Sequence, residues 1–344
     1  PLLFAPTRRA TWTIGPVLMA VVLCAALPAP KLTTSGPRAE IRSPGELEAR
    51  RNASTRPSEK AFWQGRLDYL DGDYEAAVAH FRKALDDGGK TGPDEASFHF
   101  WLGRSYGQLA RGKGSSLERM AAARRSRKSF EAALEQDPEY LEPRLGLVRF
   151  HLAAPALVGG DRQEAYRQAR EIARREPYLG NLAWGAIFED EEKWDRAALA
   201  YRKAARARPG EVEPYLRRVW MLQTLQRFDE AFRTLEELGA HAEDEPLRLY
   251  ELGRTAAFSG RRLEEGSRAL EWYLEAPRRA GDPAPAEALC HLGMIRRHQG
   301  ENDKALETFR RALALDGDSA QARRNVEDLE RLLGAGGPTP GGSG

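Results

Sequence analysis

The chain has 344 residues, 41% hydrophobic and 30% charged, with a formal net charge of only +2. This composition excludes wholesale disorder, and the near balance of charge excludes a chain-wide polyanion binder. Of the two cysteines, Cys24 lies near the N-terminus and Cys290 in a predicted helix far away, so removal of the N-terminus would leave one and no internal disulfide. Arginine far outnumbers lysine and alanine is abundant, a bias that points to a GC-rich bacterial coding sequence.

Arg8 and Arg9 precede an apolar stretch from Trp12 to Leu27, which Pro28 ends. A basic region, an apolar region and then small residues is the layout of an export signal. The stretch is shorter than the ~20 residues of an unaided membrane span. Residues 1–28 therefore read as a signal peptide or a short membrane anchor, and both stay open. Cys24-Ala25-Ala26 fits a small-residue cleavage site. Leu23 before Cys24 argues against lipidation, and Thr11-Trp12 continues a twin-arginine signal poorly. Residues 29–57 mix proline, serine, threonine and charge without apolar periodicity, so they read as a flexible tether. The match of Asn52-Ala53-Ser54 to a glycosylation sequon reads as chance in a bacterial chain.

From residue 58 to 333 the sequence repeats itself. Trp194, Ala197, Tyr201 and Ala204 recur 34 residues later as Phe228, Ala231, Leu235 and Leu238. The pattern is also present at Tyr74, Ala77, Phe81 and Ala84, and at Ala305, Phe309 and Ala312. Steps of three and four place each set on one helix face. A preceding helix carries Gly65, Gly185, Val219 or Gly293, each 12 residues before the partner alanine. Small residues at both sites would let the two helices approach closely, with the bulky residues filling the space to the next hairpin. Gly72-Asp73, Gly260 and Gly300 mark turns. Pro138, Pro177 and Pro209 close second helices.

Two hairpins are longer than the pattern. Gly103 lies 23 residues from Ser126, and Val148 lies 17 from Ala165. The extra residues fall near 110–122 and 154–160. Ser115 to Glu118 spells a capping box that should restart a helix. Ala154-Pro155 to Gly159-Gly160 should break one, with Asp161 capping the next. A charged amphipathic helix from Asp318 to Leu333 should shield the last open face. Residues 334–344 are rich in glycine and proline and should be a disordered tail.

The 34-residue helix-turn-helix pattern resembles the tetratricopeptide repeat (TPR) family. The resemblance implies an all-α, right-handed superhelical solenoid of about seven repeats, about fifteen helices without sheet, and a C-terminal capping helix. The Ala-Pro to Gly-Gly break is similar to one in a group of largely uncharacterised bacterial TPR proteins, which implies location in the cell envelope, either exported to the periplasm or anchored.

Candidate chemistry is sparse. Gly107, Gly112 and Lys113 approach a P-loop, but Gly114 stands where Ser or Thr is required and a helix precedes instead of a strand. His291 and His298 are seven apart, not the three or four that bring ligands together, and His80, His99 and His151 fall in separate hairpins. No metal or cofactor is expected, and no set of reactive groups converges for catalysis. Between Arg104 and Lys128 lie eight basic residues and one acid, Glu118. Arg119, Arg124, Arg125, Arg127 and Lys128 cluster on the inserted helix. They could contact a polyanion or lipid headgroups, or form an ordinary solvated face. Aromatic residues for base stacking are not interleaved there, so nucleic acid is not expected.

A pair recurs on the first helices: Phe62 and Arg66, Phe100 and Arg104, Leu145 and Arg149, Tyr250 and Arg254. The resemblance implies that these helices line a concave groove. The apolar members and Trp220 would then contact a peptide, and the arginines would fork to its carboxylates. Alternatively, each arginine stacks on its own ring or pairs with a local acid. The chaperone-binding clamp of the family is not reproduced, since Arg66 stands where its first asparagine belongs. Three functions follow in order: a non-enzymatic scaffold binding a peptide with acidic and apolar groups, a lipid-surface or polyanion binder through residues 104–128, and an enzyme. Membrane contact through residues 12–27 is expected if that segment is not cleaved.

Overall fold

A computed structural model describes residues 44–87, 93–112, 114–277 and 282–335. The apolar run 12–27 and the tail from 336 onward lie outside the described residues. Within them every regular element is helical, and none of the helices is long and apolar enough to cross a membrane.

Helix α1 (Pro44–Ala53) leads into seven hairpins. They are α2 (Pro57–Asp71) with α3 (Tyr74–Asp86), α4 (Pro93–Arg111) with α5 (Ser116–Gln136), and α6 (Leu141–Ala153) with α7 (Arg162–Arg175). Then come α8 (Pro177–Asp190) with α9 (Trp194–Ala207), and α10 (Glu213–Thr224) with α11 (Phe228–Gly239). The last two are α12 (Pro246–Ser259) with α13 (Leu263–Glu275), and α14 (Pro285–His298) with α15 (Asn302–Leu315), before α16 (Ala320–Ala335). Fifteen helices thus follow residue 57, in the expected right-handed solenoid. Proline sits in the opening positions of α2, α8, α10, α12 and α14, where its missing N–H costs nothing.

Five of the seven hairpins close around a contact between a glycine and a large side chain. A Cβ added to Gly65 would come within 2.9 Å of Phe81, and one added to Gly293 within 2.7 Å of Phe309. At Gly185 it would overlap Tyr201, and at Gly253 Leu270. The glycine is therefore a seat for the bulky residue of its own hairpin. This differs from the expectation that bulky residues mainly fill the space between hairpins. Phe130 does both: added Cβ atoms at Gly103 and at Gly146 of the next hairpin would lie 2.8 and 2.7 Å from its ring. Where the seat is not glycine, its partner shrinks. Val219 is matched by Leu235, and Val148 by Ala169 at the corresponding position, all buried. Such volume-conserving exchange is what a close-packed interior tolerates.

The inserted residues lengthen α4 to 19 residues and α5 to 21. Ser115 and Glu118 form the expected reciprocal capping box. The second insertion becomes a 3-10 turn over Ala156–Val158, and Asp161 caps α7 through the N–H groups of Gln163 and Glu164.

Helix α1 occupies part of the stretch read as a tether. Leu47 is fully buried against Leu67, so α1 covers the open end of α2. One apolar side chain leaves too weak a period to read, because α2 supplies the other half of the contact. At the other end Ala322, Val326 and Leu329 of α16 are buried beside Phe309 and Ala312. This helix continues past Leu333 through the first two residues assigned to the tail.

Four of the hairpin turns share a left-handed residue two positions before the second helix. Gly72 and Gly300 fill it with φ of 81° and 80°. Glu192 and Gln226 occupy the same place at φ 56°. A side chain there carries a steric cost that glycine avoids. Gln226→Gly should therefore raise unfolding stability by ~0.5–1 kcal/mol, despite the added freedom of the unfolded chain. A urea titration in which Gln226→Gly is less stable than the parent would reject the turn geometry.

Candidate binding face

The first helices of successive hairpins touch directly at most junctions, as α4 does α6 and α12 does α14, whereas successive second helices stand further apart. The first helices therefore wall the inner, concave side of the curve.

The apolar members of the recurring pairs do not line open space. Phe62 packs on Phe98 of the next hairpin with ring centroids 4.7 Å apart, and Phe100 on Tyr140 at 5.1 Å. Leu145, Tyr250 and Trp220 are buried too. Their assignment as ligand contacts is corrected: this stripe is the contact between neighbouring first helices. A four-residue step does put ring and arginine on one face, but packing the next hairpin covers the ring.

Two of the arginines share the fate of the rings. Arg66 is buried with its guanidinium 3.6 Å from the centroid of Trp101. Arg104, also buried, lies 4.2 Å from the same centroid and 5.0 Å from that of Tyr69. Their planar cations are laid on the Trp101 ring, which joins the first two hairpins. The other two stay at the surface of the inner face. Arg149 donates to Glu213, and Arg254 lies 3.3 Å from Glu251 and over Phe258 at 5.3 Å.

Sequence reading missed the groups that complete this face. Glu213 is almost wholly buried and also lies 3.7 Å from Arg217, one turn along α10. Arg149 reaches it from the third hairpin, across the fourth, which places Ala186 at the matching site. Arg111, at the end of the lengthened α4, is open to solvent yet enclosed at longer range by the curve. That enclosure, aided by the facing charges of Arg149 and Arg217, holds its guanidinium below the ordinary pKa, while Tyr69 and Tyr74 act in the opposite sense. Gln108 accepts from Arg111 and donates to the Tyr69 hydroxyl, at 3.1 Å in each case. In sequence Glu213 looks like any first-turn acid, and Arg217 like its helical partner. Only curvature brings Arg149 to Glu213 and Arg111 into the field of Arg149 and Arg217.

The second half of the face is a network of buried polar groups. Glu251 accepts from Trp220 Nε1 at 2.7 Å and from Gln223 at 3.0 Å, tying α10 to α12. His291 Nε2 lies 3.2 Å from the Tyr250 hydroxyl, and its Nδ1 has no hydrogen-bond partner. Other histidines serve structural contacts, as His99 does 3.7 Å from Glu95. His80 meets Asp68 at 2.6 Å, His298 meets the Ala257 carbonyl at 3.0 Å, and His151 is buried. Gly107 lies inside α4, not in a phosphate-binding loop. On α5, Arg119, Arg124, Arg125 and Lys128 are exposed, and Arg127 lies 3.6 Å from Glu131.

Burial, with a smaller contribution from Arg254, pushes the His291 pKa down to about 3. Because the folded value lies below the unfolded one, the unfolded chain takes up the proton first as pH falls from ~6.5. His291 thus removes stability progressively below that pH. His291→Gln should reduce the stability difference between pH 7 and pH 5 by about 2 kcal/mol, measured by urea unfolding. An unchanged difference would place His291 in contact with water.

Family comparison matches a tetratricopeptide-repeat model to residues 286–319 and a second one to residues 64–109. Human protein O-mannosyl-transferase TMTC1 is 26% identical over 174 residues, covering 50% of this chain and 19% of TMTC1. The chain thus spans only a small part of that relative's length. Among solved structures, yeast Tom70 aligns with a TM-score of 0.54 at 12% identity, over 91% of this chain and 62% of that one. PilW, a widely conserved type IV pilus biogenesis factor, gives 0.49 at 20% identity, over 67% and 97%. With seven helical hairpins stacked through their first helices, and repeat models matching near both ends of the array, the chain is a tetratricopeptide-repeat protein.

Proposed function

We propose that the inner face of this array binds a segment of a partner protein that carries acidic groups, and that the protein works as a non-enzymatic scaffold in the bacterial cell envelope. Tetratricopeptide repeats bind protein or peptide partners as a class. The observation that carries the finer reading is the gathering of Arg111, Arg149 and Arg217 on one stretch of the inner face, with Glu213 receiving two of them. Guanidinium groups held within one another's field are stabilised by an incoming carboxylate, which they can grip through forked hydrogen bonds. The apolar part of such a segment would meet Phe258, which is 41% exposed beneath Arg254, and the half-buried Trp184. This moves the acidic subsite from the head of the array, where Arg66 and Arg104 are engaged with Trp101, toward its middle.

The envelope location rests on Arg8, Arg9 and the apolar run to Leu27. A reporter fused after Ser58 should be active only when exported. Activity of a cytoplasm-only reporter would reverse this assignment.

Arg111 gives a clean test of binding, since its side chain is open to solvent. Arg111→Ala should leave the thermal melt unchanged and weaken an acidic peptide from a captured partner by about 1.5–3 kcal/mol. Titration calorimetry that gives equal affinity for both proteins would remove Arg111 from the site.

A further inference from the structure

The two insertions meet on the side of the solenoid away from the inner face. Helix α5 buries Ala122, Ser126, Ser129 and Phe130. At 100° per residue, Leu117, Arg124 and Lys128 fall on the ridge opposite that buried stripe. The 3-10 turn of the second insertion lies against this ridge: Arg124 Nη2 donates to the Leu157 carbonyl at 3.2 Å. A Cβ added at Gly159 would lie 2.6 Å from the Arg127 guanidinium. Glycine with φ of 102° is what lets the turn settle there.

Leu117 and Leu157 are the two most exposed large hydrophobic side chains among the described residues, at 78% and 80%. Single exposed leucines are ordinary. These two are set apart by their place: each stands in one of the two segments that exceed the repeat pattern, and the hairpin cores do not use either. On the ridge with Leu117 stand the exposed Arg124 and Lys128, and the exposed Arg125 lies on the adjoining face of α5, over the Tyr106 ring at 5.8 Å. Of the acids on α5, Glu118 is held in the capping box and Glu131 lies beside Arg127, while the exposed Glu135 stands beyond Lys128 at the far end of the ridge. Apolar tips standing out of a cationic surface match the boundary of an anionic bilayer, where acyl chains take the tips and headgroups take the guanidiniums. A soluble polyanion would use the charges and leave both leucines in water.

We propose that Leu117 and Leu157, with Arg124, Arg125 and Lys128, form a docking surface for an anionic membrane. The inner face would then remain open to its partner while the solenoid lies against the bilayer. This surface is independent of the peptide reading, since none of its residues belongs to the inner face.

The test uses the full chain with Cys24→Ser and Cys290→Ser, and a polarity-sensitive fluorophore on Leu157→Cys. The dye reads contact at this position whatever the N-terminal segment does. It should shift to the blue with vesicles of phosphatidylcholine and phosphatidylglycerol, and not with phosphatidylcholine alone. Each basic residue near an anionic surface is worth roughly fivefold in partitioning. Adding Arg125→Glu and Lys128→Glu should therefore weaken the shift by well over tenfold in lipid concentration. Both residues are exposed, and circular dichroism checks that the fold is kept. The proposal is overturned by no shift on mixed vesicles, by an equal shift on neutral ones, or by a shift that survives charge reversal. Charge-dependent binding of heparin without any shift on vesicles would overturn it in favour of a soluble polyanion.

Discussion

The array depends on a contact between nothing and a ring. Gly65, Gly185 and Gly293 offer bare backbone, and Phe81, Tyr201 and Phe309 fill the space a Cβ would have taken. This sets the distance between the two helices of a hairpin. It also sets how far the bulky residue reaches toward the next hairpin, and so the spacing of the stack. Because a dense interior tolerates changes of shape only when volume is kept, Val219 with Leu235 and Val148 with Ala169 can replace glycine and ring without a break in the solenoid.

Close stacking of the first helices has a second effect. Groups that would otherwise face water are forced against one another on the inner side. Rings from successive hairpins meet and become core. Arginines one turn later are either laid on those rings, as Arg66 and Arg104 are on Trp101, or drawn to buried acids. The two halves of the array solve this differently. The head lays its cations on a ring, Trp101. The tail uses Glu251 to satisfy Trp220 and Gln223 while Arg254 lies beside it. Between them Arg149 and Arg217 share one buried acid, Glu213, and Arg111 lies within the field of both arginines.

The insertions obey a different constraint. They add length beyond what the hairpin core needs, so their side chains are free of the seat geometry. The lengthened α4 delivers Arg111 to the inner side, and the lengthened α5 with the 3-10 turn builds a ridge on the other side. One departure from the repeat thereby contributes to two separate surfaces.

By itself the sequence determined the helices of the repeat array from residue 58 on, the number of hairpins, the position of both insertions, the Ser115 and Asp161 caps and the terminal cap. All of these follow from local periods and local hydrogen bonds, which are written in neighbouring residues. It did not reveal α1, whose single buried leucine has its partner on another helix. It placed Phe62, Phe100, Leu145, Trp220 and Tyr250 on the right helices yet on an open face, because periodicity tells which side of a helix is apolar and not what covers it. Glu213, Arg217 and Arg111 were invisible as a group. Their meeting depends on the curvature of the stack, a sum of small rotations at every hairpin junction. No local pattern encodes that sum, so only the tertiary structure could decide which charges face one another.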